Sequence, residues 1–318
     1  MRIVVIDDKL AGMNPSVATI GFFDGVHKGH QFLLDHLVKA AKKTGMESTV
    51  ITFDAHPRKV LNQDYQPEML STLEEKQQLL GEKQIDNCVL LHFDKEMAGF
   101  SACEFMEKVL RDRLNVRKLY IGYDNKFGHN CEEGFDDYVK YGRELGIEVV
   151  QNPVYKLHDI DISSTYIRGL LKKGCVDDAC EYLGYLYSIT GEVIHGFQNG
   201  RKLGYPTANI SIETVHKLIP ANGVYAVEVE VEGCPGIYQG MMDIGTRPTF
   251  SGKSRSLEVN IFDFGEDIYG RQIHVSFICF IRPDIKFNNT DDLAIQLKKD
   301  EKIVREKLNK KKYYEQEN

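Results

Sequence analysis

Along the first half of the chain, short apolar runs alternate with longer segments of helical periodicity. Residues 16–23 form a nearly continuous apolar run. In the segment 31–45 that follows, Leu33, Leu34, Leu37, Val38 and Ala41 recur at helical spacing, and Gly45 is placed to cap the end. The stretch 48–53 is rich in β-branched residues, and 87–93 and 118–123 read as further buried strands. Between those two, Ser101 with Glu104 three positions later forms a capping box and predicts a helix through Leu114. This alternation predicts a parallel sheet with helices on both faces, so the first half is expected to be a doubly wound α/β domain.

Near Tyr182 the texture changes. The apolar segments 187–195, 223–231, 257–262 and 272–280 are short, alternating and separated by glycine-rich connectors, which favours an antiparallel sheet or small barrel. Residues 291–312 read as a terminal helix with a lysine-rich end, and 177–183 as a helix joining the halves. The expectation is α/β overall: a parallel-sheet domain over 1–182 and a small antiparallel β-barrel domain over 183–318. No internal repeat links them.

A length of 318 residues and a hydrophobic fraction of 42% are enough for two cores. The net charge of −7 leaves no broad basic surface to grip nucleic acid, so an anionic substrate must be held by a few placed cations and helix N-termini. Seven single cysteines with no C-x-x-C pair argue against a disulfide framework or zinc site and for reduced thiols. Residues 1–8 lack a signal-peptide core, and no apolar run approaches the roughly 20 residues that span a bilayer. The expected setting is the cytoplasm, with no membrane or nucleic-acid partner; a monomer and a weak homo-oligomer both remain open.

The densest chemistry in the first half is Gly21-Phe22-Phe23-Asp24-Gly25-Val26-His27-Lys28-Gly29-His30. A strand is expected to end here and a helix to open. Gly21, Gly25 and Gly29 let backbone approach a ligand, and the first free N–H groups of the helix attract phosphate. His27 and His30 can donate hydrogen bonds to phosphoryl oxygens as charge shifts during a displacement. A lone histidine at a helix start is ordinarily a cap, but a pair framed by glycines at a strand–helix turn points to a polyphosphate. No carboxylate or thiolate at metal-ligand spacing joins them.

This segment resembles the H-x-G-H motif of the nucleotidyltransferase superfamily, whose members transfer a nucleotidyl group and release pyrophosphate. H-x-G-H alone leaves several acceptors open, including pantetheine phosphate, nicotinamide mononucleotide and glycerol phosphate. The full string, from Gly21 through Phe22, Asp24 and Gly25 to Gly29, is similar to the FMN adenylyltransferase branch, which implies ATP binding there. Thr52-Phe53-Asp54-Ala55-His56-Pro57 looks like that branch's T-F-x-x-H-P stretch. Ile162-Ser163-Ser164-Thr165-Tyr166-Ile167-Arg168 is similar to its I-S-S-T-x-I-R motif, which implies phosphate contacts from Ser163, Ser164, Thr165 and Arg168. Unaided, these are good N-cap residues with an arginine one turn on. Gly122-Tyr123-Asp124-Asn125-Lys126-Phe127-Gly128 resembles G-x-D-F-R-F-G and implies flavin contacts at Asp124, Asn125 and Phe127. Asn125 and Lys126 depart from that pattern, and Cys131 stands where an arginine is frequent; lysine keeps the charge without the planar fork.

In the second half, residues 191–209 carry Gly191, Gly196, Gly200 and Gly204, a backbone able to wrap an anion, though in no generic phosphate-loop pattern. Thr207 and Asn209 lie two apart, on one face of an extended segment, and offer oxygens suited to Mg²⁺. The string Gly200-Arg201-Lys202-Leu203-Gly204-Tyr205-Pro206-Thr207-Ala208-Asn209 closely resembles riboflavin kinase, and the likeness covers 187–300. It implies a six-stranded barrel, Glu258 as general base, Thr207 and Asn209 holding Mg·ATP, ATP contacts at Gly196, Gly200, Arg201 and Gly204, and a flavin contact at Arg282. Asp243 stands where asparagine is commoner. Together the two resemblances imply an enzyme that phosphorylates riboflavin to FMN and adenylylates FMN to FAD, with ATP as co-substrate.

Overall fold

The structure is a computed structural model. It describes residues 1–6, 12–61, 64, 68–123, 125–129, 132–196, 199–249, 252–287 and 289–316, so Asp124 and Cys131 lie outside the described residues. The chain divides into two compact units, Met1–Ser164 and Thr165–Asn318.

The first unit is built on a six-stranded sheet: β1 (Arg2–Val5), β2 (Ser16–Ile20), β3 (Glu47–Phe53), β4 (Asn87–Leu91), β5 (Val116–Ile121) and β6 (Glu148–Gln151). The strand order is β1-β4-β3-β2-β5-β6, and every neighbouring pair is parallel. β2 and β4 are buried at every position, which is why they read as continuous apolar runs rather than alternating ones. On one face, α1 (Lys28–Thr44) buries Leu33, Leu34, Leu37, Val38 and Ala41 against Val17 and Val50, and Gly45 closes it at φ 67°. After α2 (Pro57–Leu61), α3 (Leu73–Gly81) adds Leu80 to that core. On the other face lie α4 (Lys95–Ala98), α5 (Ala102–Phe105) and α6 (Phe135–Leu145). The Ser101–Glu104 capping box forms as expected, but the helix it opens widens after Phe105 into a π-helix over Met106–Arg111. A small hairpin, β7 (Lys156–Leu157) and β8 (Ile160–Asp161), completes the unit. Winding runs outward from β2 through β3 to β4, then resumes on the other side with β5 and β6. The carboxyl ends of β2 and β5 therefore form the topological switch point, where open parallel sheets place ligands.

The second unit contains α7 (Ser164–Leu171) and α8 (Val176–Leu183), then β9 (Ser188–Ile194), α9 (Asn199–Lys202), β10 (Ala208–Ile210), β11 (Gly223–Val231), β12 (Cys234–Thr249), β13 (Gly252–Ile261), β14 (Gln272–Arg282) and α10 (Thr290–Gln316). Six strands close into an antiparallel barrel in the order β10-β13-β12-β11-β14-β9. Helix α8 packs on β14. On the barrel exterior, Val304 and Leu308 of α10 pack with Val224, Ala226, Met241 and Phe262. The pattern reading has no counterpart for β12, whose Pro235, Gly236, Gly240, Gly245 and Pro248 look like loop residues. Pairing with β11 and then β13 along its length carries the strand through them.

Candidate active sites

In the first unit, β2 ends at Ile20 and the chain passes through a tightly wound turn before α1. Phe23 (φ 53°), Gly25 (φ 74°) and Val26 (φ 35°) all adopt positive φ, and for a β-branched residue such as Val26 that is a strained backbone. The strain is held by the segment just before α3. Buried Asp24 accepts hydrogen bonds from the Leu70 and Ser71 amides at 2.9–3.1 Å, while Gly25 N–H donates to Ser71 Oγ at 3.0 Å. Asp24→Asn would present donors to donors; we expect it to destabilise the first unit by about 1–3 kcal/mol, measured as a shift in denaturant midpoint.

His27 is the N-cap of α1; its Nδ1 accepts the His30 backbone N–H at 3.3 Å, which in the neutral ring puts the proton on Nε2, as a donor. The two imidazoles stack with centroids 3.6 Å apart. Burial, then the neighbouring His27 ring and the Lys76 ammonium, hold His30 well below the ordinary histidine range, so it is neutral at pH 7. Gly29 sits against this pair: a Cβ there would lie 3.2 Å from His27 Nδ1. Ser164 Oγ donates to Asp24 O at 3.0 Å, bringing Ser163-Ser164 to the turn; Thr165 and Arg168 follow on α7.

Beside the turn opens a cavity of about 790 Å³, within the range of small-molecule sites. Gly21, Phe22, Phe53, His56, Phe93, Phe100, Phe105 and Phe127 give it a largely aromatic wall. Asn125 and Lys126 also line it, and Asn125 Nδ2 donates to Ile20 O, joining the loop after β5 to the end of β2. Phe127 is held flat against Tyr138 at 4.3 Å. The departure at Asn125 thus becomes a tie across the switch point. The expected contact at Asp124 lies outside the described residues.

In the second unit, Glu258 on β13 pairs across to Asn209 on β10 and to Asp243 on β12, so the three side chains share one face. Thr207, two residues before Asn209, donates from its hydroxyl to Glu258 Oε2 at 3.2 Å. The glycine-rich segment folds against this row. A Cβ on Gly196 would collide with the Asn209 side chain, and Gly200 O accepts the Tyr205 N–H at 2.9 Å as the chain turns through Arg201 and Gly204. A cavity of about 240 Å³ is lined by Thr207, Asp243, Glu258, Asn260, Arg282 and Asp284, with apolar walls from β14's trailing loop and α10. Arg282 lines the cavity, yet its guanidinium binds Asp300 of α10 at 2.8–3.1 Å, and Asp300 is 1% exposed.

Residues 10–166 match the family model described as FAD synthetase, and residues 183–308 the model described as riboflavin kinase. The chain is 38% identical over 282 residues to the bifunctional riboflavin kinase/FMN adenylyltransferase of Haemophilus influenzae, covering 89% of this chain and 91% of that protein. This chain belongs to the bifunctional riboflavin kinase/FMN adenylyltransferase family. The Escherichia coli member is 36% identical over 290 residues, covering 91% and 92%. A crystal structure described as a macrolide-efflux protein from Streptococcus pneumoniae has the same architecture, with a TM-score of 0.86 at 33% identity over 96% of this chain and 99% of that one. Among the described residues here, no helix is long and apolar enough to cross a membrane.

Motif reading singled out the turn, the paired histidines and the Thr207–Asn209–Glu258 group; of these, Gly21 and Phe22 line the larger cavity and Thr207 and Glu258 the smaller. It did not find Phe93, Phe100 and Phe105 of the cavity wall, the Arg282–Asp300 pair or Lys76. For Lys76 a signal exists: it lies between Leu73 and Leu80 at helical spacing, on the face α3 turns inward.

Proposed function

We propose that the second unit transfers the γ-phosphoryl group of ATP to the ribityl hydroxyl of riboflavin, and that the first unit joins the resulting FMN to the adenylyl group of a second ATP. We place the functional division at 182/183, a reading supported by the start of the second family match at 183, although the compact units divide at Ser164/Thr165. The observation that carries this reading is that each motif abuts its own cavity: the Gly21–His30 turn beside the large aromatic one, Glu258 and Thr207 beside the smaller.

In the kinase unit, the Glu258 carboxylate accepts the proton of the attacking hydroxyl, held in orientation by the Thr207 hydroxyl. Thr207 and Asn209 supply neutral hard oxygens, a donor set that fits Mg²⁺ arriving with ATP and keeping most of its ligands from water and phosphate. When bound, the metal would neutralise charge on the transferring phosphoryl group. Asp243 accepts a ribityl hydroxyl from the same face as Glu258. In the adenylyltransferase unit, the FMN phosphate attacks the α-phosphorus of ATP and pyrophosphate leaves. His27 and His30 donate to phosphoryl oxygens, the α1 N-terminus with Ser163 and Ser164 holds the polyphosphate, and the aromatic wall holds the isoalloxazine. No covalent enzyme intermediate is needed, since positioning and charge stabilisation carry such a transfer.

A chromatographic time course with riboflavin, Mg²⁺ and excess ATP tests the scheme. FMN is expected to rise first and give way to FAD. FMN that accumulates without FAD would sink the role given to the first unit; unchanged riboflavin, with supplied FMN still converted, would sink that of the second.

A further inference from the structure

Lys76 is a buried cation in contact with both walls of the first site. It is 3% exposed, and its Nζ donates to Phe22 O at 3.2 Å, Thr52 Oγ1 at 3.2 Å and Phe53 O at 3.1 Å. Thr52 Oγ1 in turn donates to Phe22 O at 3.1 Å. The ammonium lies 4.4 Å from the Phe22 ring centroid, and that ring packs on His56 at 4.6 Å. Phe22, Phe53 and His56 all line the 790 Å³ cavity, and Phe22 adjoins the strained turn that leads to His27. All three ammonium protons are engaged by groups from the ends of β2 and β3. A buried lysine is costly to keep charged, so a purely structural tie at this point could be made more cheaply by a neutral donor such as glutamine.

We propose that Lys76 is a positioning residue for FMN adenylylation: it fixes the Phe22 turn against the flavin-side wall and supplies a fixed positive charge beneath the phosphate-binding turn. The inference rests on the reading of the Gly21–His30 turn as the nucleotidyl-transfer site. The anionic ligands of that site carry several negative charges in close quarters, and a cation set beneath the surface acts on all of them without shifting when they bind. It acts through the backbone at Phe22 and through the field, with no contact to substrate required.

The charge on Lys76 is conditional. Burial pulls its ammonium down to about 8, against the opposing pull of Asp24, Cys88 and Asp54. The groups facing it are Asp24 from the turn, Asp54 from the end of β3, Cys88 from β4 and His30 from α1. Burial pushes the Cys88 thiol up to about 11, and His30 is already neutral at pH 7. Between pH 7 and about 9.5, Lys76 is therefore the group in this cluster that changes charge, and it loses its proton as pH rises.

The test follows both activities of the full chain from pH 6.5 to 9.5. For the wild type, kcat/KM for adenylylation of FMN is expected to fall as pH rises through about 8, while riboflavin phosphorylation by the same chain does not follow that fall. Lys76→Arg, which keeps its charge throughout, is expected to retain activity and lose the alkaline fall. Lys76→Met is expected to lower kcat/KM roughly 10- to 100-fold at pH 7, mostly through a higher KM for FMN, with kinase activity unchanged. A folded Lys76→Met at the wild-type rate overturns the proposal, as does an alkaline fall that Lys76→Arg leaves in place. His30→Ala measured in parallel separates the two levels: if it leaves adenylylation intact, the assignment of the turn itself fails; if it abolishes adenylylation while Lys76→Met does not, only the role of Lys76 fails.

Discussion

Glu258→Gln is expected to lower riboflavin phosphorylation by roughly 10²- to 10⁴-fold and to leave FAD formation from supplied FMN at the wild-type rate. Glutamine preserves the size of the side chain and its ability to accept from Thr207 Oγ1, so the β10–β13 register and the cavity should stand. What it removes is the capacity to take a proton. The loss should therefore appear in kcat, with the KM values for riboflavin and ATP little changed, because binding in the two states is altered far less than the chemical step. A separate assay with FMN and ATP reads the other unit in the same sample. A Glu258→Gln chain that is folded and still phosphorylates riboflavin at the wild-type rate would exclude proton acceptance by this carboxylate.

The mirror experiment is His30→Ala, for which a loss of roughly 10²- to 10³-fold in adenylylation is expected, with phosphorylation of riboflavin intact, so that FMN accumulates. The His30 ring stacks on His27 and packs edge-on against Phe23. Alanine removes one donor and also leaves the His27 ring less constrained. His30→Asn keeps a donor and should recover part of the rate. Because burial, His27 and Lys76 all favour the neutral ring, the donor role proposed for His30 is that of an uncharged imidazole at pH 7. Its contribution should consequently show no titration between pH 7 and 9, which distinguishes it from that of Lys76. Loss of both activities in a folded variant of either kind would contradict a division into two independent sites.

How much of this was legible in the sequence depended on the range over which each signal acts. The Ser101–Glu104 box and the α1 face are local, determined by neighbours within about four residues, and the Gly21–His30 motif is likewise contiguous, although the bonds that hold its strained backbone come from Leu70 and Ser71. The parallel sheet and the barrel were legible as classes because burial on both faces and burial on one face leave different periodicities. β12 was not, since five prolines and glycines hide a strand whose conformation is imposed by β11 and β13. Beside Phe53 and Phe127, which stand in the quoted motifs, the wall of the larger cavity draws on Phe93, Phe100 and Phe105, each an ordinary core residue in its own segment. Only the fold brings them together. Arg282 was expected as a flavin contact and lines the smaller cavity, but nothing in the sequence pointed to its bond to Asp300, eighteen positions on.

That last bond bears on how the kinase unit can be cut from the rest. Arg282 ends the final barrel strand, Asp300 lies inside α10, and neither charge has enough water around it to stand alone; breaking such a pair costs about 3–5 kcal/mol. A gene fragment that stops at the last barrel strand would look complete by strand count, yet would carry an orphaned guanidinium at the rim of its substrate cavity and a bare apolar stripe where Val304 and Leu308 had been. Barrel and strap thus go together, since residues of the strap line the pocket.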